Sequence, residues 1–228
     1  MSDILYYALR ALCSPLSYRA RGTEHIQRGR PALFIGNHAG LSGPFQAVLT
    51  LPARLYPWVI AEMTDPARIN QYVYAHFSAP IWRLRGWIGA LAARAVASIV
   101  GSVLIGIDCI PLDRSRSQYQ NTFRRSLRVL ERGRSLLIFP ENLEGSSELT
   151  SQIRPFMPGF VHLCALYRRK TGGDLSVYPI AIVQARRMVA VGEAVSLNFT
   201  KNNDGEIHKL SDILQDAVSS LYLSCLKN

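Results

Sequence analysis

The sequence predicts an α/β fold: a single domain with a central, largely parallel mixed sheet flanked by helices, and an N-terminal amphipathic helix in front of it. Three observations point there. Short apolar runs of four to seven residues alternate with longer stretches of helical periodicity, the order that builds parallel sheets. At 228 residues and 48% hydrophobic content, one domain can bury a sizeable core. No internal repeat or long linker breaks the alternation. The expected division is residues 1–30 as helix and connector and 31–228 as the domain.

In chain order, residues 4–18 place Leu5, Ala8, Leu9 and Leu12 on one helical face, with Tyr6, Tyr7 and Arg10 nearby. This is the pattern of a helix lying at a membrane interface, or of an ordinary helix packed on the domain, and Pro15 should end or bend it. Arg19 to Arg30 reads as a polar connector. Ala32 to Ile35 is a buried strand, and Gly36, Gly40, Gly43 and Pro44 punctuate the turn after it. Pro44 to Leu51 suits a short helix, Pro57 to Ala61 a second strand, and Asp65 to His76 a helix.

Residues 86–107 are the most apolar part of the chain. Their uninterrupted run, Ala95 to Ile107, is 13 residues. A span needs about 20, so a buried or membrane-leaning helix is expected rather than a span. Ser115 to Gly133 follows as an amphipathic helix with the stripe Tyr119, Phe123, Leu127 and Leu130. Ser135 to Phe139, Val177 to Val183 and Met188 to Gly192 read as strands. Pro158 to Arg169 and Leu210 to Leu226 read as helices.

The chemical centre is His38, a lone imidazole in a Gly-rich turn at the carboxyl end of a strand, where open α/β sheets place ligands. Four blocks around it are similar to the glycerolipid acyltransferases, the superfamily of lysophosphatidic acid acyltransferase. Asn37-His38 resembles the family's opening motif, Asn-His, four residues, then Asp, with Gly43 at the Asp position. Cys109-Ile-Pro-Leu-Asp-Arg114 resembles its strand ending in Asp-Arg. Leu137-Ile-Phe-Pro-Glu141 resembles Phe-Pro-Glu-Gly-Thr-Arg, with Asn142, Leu143 and Glu144 in the last three places. Val177-Tyr-Pro-Ile-Ala-Ile182 resembles the family's Pro-containing strand.

The resemblance implies acyl transfer from a thioester, acyl-CoA or acyl carrier protein, to a lipid or small-molecule hydroxyl or amine; the alternative, for which Gly43 speaks, is a catalytically weak or inactive member that acts as a lipid- or acyl-binding protein. His38 would be the general base. It implies no bound cofactor, and a peripheral or monotopic place on the cytoplasmic face of a membrane. No carboxylate lies between Glu24 and Glu62, so a partner for His38 must come from elsewhere in the fold. Glu141, Glu144 and Asp113 are the candidates. The resemblance also places Asn37, Arg114 and Glu141 at the acceptor. Ser42 lies close to His38, but no Gly-x-Ser-x-Gly elbow makes it a nucleophile. Glu144 stands where the family carries a phosphate-contacting Arg. Either Arg154 or the arginines of 114–134 compensate, or the acceptor is an amine, a sugar or a neutral hydroxyl.

The formal charge of +10 implies an anionic partner, and with this resemblance an anionic membrane surface. A nucleic-acid partner is disfavoured, because no RNA-binding aromatic motif or zinc finger is present. The five histidines and four cysteines lack metal-ligand spacing, so no metal is expected. No cleavable leader is expected either, since Asp3 and Arg10 interrupt the pattern.

Overall fold

The computed structural model describes residues 3–40, 42–78, 83–113, 116–142, 153–200 and 203–227. The chain forms two compact units, Ala8–Leu55 with Ser126–Asn228, and Met1–Tyr7 with Tyr56–Arg125. The elements in order are α1 (Asp3–Cys13), β1 (Arg19–Arg21), β2 (Ala32–Gly36), α2 (Gly43–Thr50), β3 (Leu55–Ile60), α3 (Ile69–Val73), α4 (Gly86–Gly106), β4 (Ile110–Leu112), α5 (Arg116–Glu131), β5 (Ser135–Ile138), α6 (Val161–Thr171), β6 (Ser176–Val183), β7 (Met188–Val191) and α7 (Asp204–Lys227). The α/β expectation holds: the sheet is mixed and mostly parallel, with helices flanking it.

In the larger unit the strands lie in the order β1-β7-β6-β2-β5. β2 is parallel to both β5 and β6, β6 runs antiparallel to β7, and β1 is parallel to β7. All five residues of β2 and all four of β5 are buried. That is why they read as continuous apolar runs rather than alternating ones. α7 presents Ile207, Leu210, Leu214, Val218 and Cys225 inward at helical spacing. It starts six residues before the first expected position, because Asn203 Oδ1 accepts the Glu206 amide at 2.9 Å and caps it.

β1 lies inside the stretch read as a polar connector. Its three residues are exposed and two are arginines, which is how an edge strand escapes a hydrophobic pattern. α1 forms where expected and stops before Pro15. Within the larger unit, Arg10 donates to the carbonyls of Leu49 at 2.8 Å and Thr50 at 3.3 Å.

In the smaller unit β3 pairs parallel with β4, Trp58 opposite Ile110. The Trp58 ring meets Phe123 of α5 edge-on at 5.7 Å, and Thr122 Oγ1 donates to the Pro111 carbonyl at 2.7 Å. The helix expected over 86–107 forms as α4, but the buried alternative is corrected: among its residues only Gly89, Ala93 and Ala97 are buried.

Candidate functional site

β2 and β5 are parallel neighbours with Ile35 opposite Ile138. His38 lies three residues beyond Ile35, and Glu141 three residues beyond Ile138. Equal steps from a matched pair carry both residues to one level at the carboxyl end of the sheet. The ring of Phe139 meets the His38 imidazole edge-on at 5.5 Å. Phe156 forms an antiparallel bridge with Glu141, held by Asn142 N–H to Pro155 O and Met157 N–H to Pro140 O, both 2.8 Å. That register brings Arg154 to the same place.

The polar contacts divide the work. The Glu141 carboxylate accepts the backbone amides of His38 and Arg154 and faces the Arg154 charge, yet burial is the larger influence and pushes its carboxyl above the ordinary value of 4.5. Burial likewise pushes His38 below 6.5. A backbone hydrogen bond with the Gly40 carbonyl opposes that, and the Arg154 charge adds to it. Thus Glu141, one of the three candidate carboxylates, grips the backbone of His38, while a carbonyl holds its ring. One ring nitrogen donates to Gly40, and in the neutral imidazole the other is the one that can take a proton.

The turn is strained and tightly tied. Ala39 (φ 45°) and Gly40 (φ 65°) both have left-handed backbones, which costs an alanine about 1–2 kcal/mol. Gln184, just beyond β6, compensates: its Nε2 donates to Ala39 O at 2.6 Å and to Ser42 Oγ at 2.9 Å. Sequence reasoning missed Gln184, since 145 residues separate it from Ala39 and no local signal marks it. Ser42 is therefore a fastener of the turn. Asn37 is another, buried with Nδ2 donating to Ile182 O at 3.1 Å and Oδ1 accepting Ile182 N–H at 2.8 Å. Both amide ends bond to β6, so Asn37 fixes the strand end.

Gly43, five residues after His38, closes the turn. A Cβ built there would overlap the His38 carbonyl oxygen and come within 3.1 Å of the Ala39 Cβ. The turn is closed on a glycine, with no room for a side chain at this position as it stands. Arg114 and Glu144 lie outside the described residues. Asp113 follows β4 in the smaller unit. Among the described residues, no three His, Cys, Asp or Glu side chains gather as a metal site.

A family model described as Acyltransferase matches residues 62–183, more than half of the chain. The match begins beyond the His38 turn and includes Glu141 and Arg154. No curated protein matches the chain. The crystal structure of the 1-acyl-sn-glycerophosphate (LPA) acyltransferase PlsC from Thermotoga maritima superposes with a TM-score of 0.53, covering 95% of this chain and 78% of that one. Identity is 14%, so the likeness shows the fold.

Proposed function

This chain belongs to the acyltransferase family, and from that premise we propose that it moves an acyl group from a thioester to a hydroxyl or amine at a membrane surface, with His38 as the base. The donor is acyl-CoA or an acyl carrier protein. The observation that carries the reading is the meeting of His38, Glu141 and Arg154 at one level of the sheet. Burial keeps the imidazole neutral near pH 7, the state a base needs.

In the proposed reaction the acceptor O–H or N–H gives its proton to the unprotonated ring nitrogen of His38 as the heteroatom bonds to the thioester carbonyl carbon. The tetrahedral adduct collapses, the C–S bond breaks, and the departing sulfur takes the proton from the imidazolium. Glu141 holds the backbone of the turn, so the base stays in register with its substrate. Among the described residues, no carboxylate bears on the imidazole ring. In the Ser-His-Asp template, losing that charge costs roughly 10⁴ in turnover. Slow turnover is therefore part of the proposal.

Glu144, in the place of the family's phosphate-contacting Arg, favours an amine, a sugar or a neutral hydroxyl as acceptor. The Thermotoga maritima neighbour is named for a phosphate-bearing one. Release of free thiol from acyl-CoA and acyl-carrier-protein donors, with a panel of lipid acceptors, tests both points. His38→Ala should lower the rate about 10²–10⁴-fold, and equal rates in the two proteins would remove His38 from the mechanism. Phosphate-bearing lysolipids emerging as the best acceptors would overturn the acceptor class alone.

A further inference from the structure

Helix α4 carries an apolar surface that the protein leaves open. By length and composition it is apolar enough to cross a membrane, with mean hydropathy 2.0, yet only 17% of that window is buried. Its small residues Gly89, Ala93 and Ala97 recur every fourth position; Ala93 and Ala97 pack with Ile69 and Val73 of α3. On the far side Ile88, Leu91, Ile99 and Val103 fall on one face at 100° per residue, Leu91 63% and Ile99 67% exposed. A surface helix in water normally turns a polar face outwards. Here the outward face is apolar.

The polar groups of α4 suit a lipid environment. Ser102 Oγ donates to the Ser98 carbonyl at 2.8 Å, so its hydroxyl is satisfied within the helix. Arg94 is the sole charged residue between Gly86 and Gly106, and it stands near the middle. At the centre of a bilayer a guanidinium is costly, which argues against a span. At the margin of a helix lying flat, its stem reaches the headgroups. Trp87, seven residues earlier and 77% exposed, shares that margin, and Trp with Arg is the pair that settles at a membrane interface. Arg83 and Arg85, both exposed, precede the helix, in a chain of net charge +10. Charge complementarity thus points to anionic lipid. A second copy is disfavoured, because two-fold pairing about the helix middle would set two Arg94 groups against each other in an apolar interface.

We propose that α4 docks this protein in the plane of an anionic lipid leaflet, with Ile88, Leu91, Ile99 and Val103 among the acyl chains and Trp87 and Arg94 at headgroup level. This rests on the membrane-surface reading above and names the element that meets the membrane. The test is flotation of the full chain with vesicles of phosphatidylcholine and phosphatidylglycerol in equal parts. Replacing Leu91 and Ile99 together by Asp should lower the bound fraction at least about tenfold while leaving thermal unfolding unchanged, since both side chains are exposed. Brominated lipids add depth: shallow bromines should quench native fluorescence more than deep ones, and Trp87→Phe should abolish the difference. Flotation unaffected by the double replacement overturns the role of α4. Stronger quenching by deep bromines overturns the in-plane arrangement. A native dimer that fails to float, and that the replacement splits, makes a second copy the occupant. Thiol release with a soluble acceptor reads the His38 chemistry separately, so failure at the membrane is distinguishable from failure at the site.

Discussion

In the turn after β2, seven residues (37–43) carry a strained alanine, a buried amide, a glycine closed against a carbonyl and a base, and named partners account for each of them. In α4, 21 residues carry one charge and a face that the protein leaves to its surroundings. The first region gains its precision from directional hydrogen bonds, each worth about 1 kcal/mol net but costly to leave unmade. The second gains its strength from non-directional burial that needs an outside partner. The contrast predicts how each fails: the turn should be intolerant of single atoms, and α4 should lose binding without losing its fold.

The sharpest way to break the contrast is Gly43→Asp, which supplies the carboxylate of the family pattern. If the turn is as closed as its contacts indicate, the new Cβ has no room beside the His38 carbonyl. The variant should then lose roughly 3 kcal/mol of stability and gain no turnover, measured by thermal unfolding and thiol release. A gain in turnover with stability kept would mean that the turn opens readily and that only the carboxylate was missing.

A smaller effect is expected from Gln184→Ala, which leaves both Ala39 O and Ser42 Oγ without this donor. Losing the tie should cost about 1–2 kcal/mol and lower kcat about tenfold, as small misplacements of a base do. KM should hold, because the Gln184 amide is engaged with Ala39 O and Ser42 Oγ of the turn. A change confined to KM would place Gln184 at the substrate instead and blur the contrast between scaffold and site.

These two residues also mark how far the sequence could be read. His38 stood out in the sequence as a lone imidazole at a strand end, and Glu141 through the resemblance of its block; equal offsets from Ile35 and Ile138 on parallel strands are what bring the two to one level. Gln184 was not legible, since a side chain that reaches across 145 residues obeys no local period. β1 stayed hidden because an exposed basic edge strand lacks apolar alternation. The hydropathy of 86–107 announced a helix but could not say which side was covered, for a protein core and an acyl chain are equally apolar. The buried option failed for that reason. The carbonyl of Gly40 on the imidazole had no signature either, since every residue carries such a partner.

The finest test concerns proton affinity in the turn. Burial, first, and the Arg154 charge both lower His38 from its ordinary 6.5, against the Gly40 hydrogen bond. The base is lost only when the imidazole protonates, so the acid limb of kcat/KM should lie below pH 6.5. Arg154→Gln removes a positive charge that disfavours the imidazolium, and the limb should move upwards. The same change removes a charge that favours the Glu141 carboxylate, so that carboxyl should rise further above 4.5. Both groups shift the same way, because one cation opposes the proton on each. An unmoved limb would mean that burial alone sets His38 and that Arg154 serves the substrate rather than the base. Arg94→Gln, a change in α4 that touches neither the turn nor Arg154, should leave the limb where it stands.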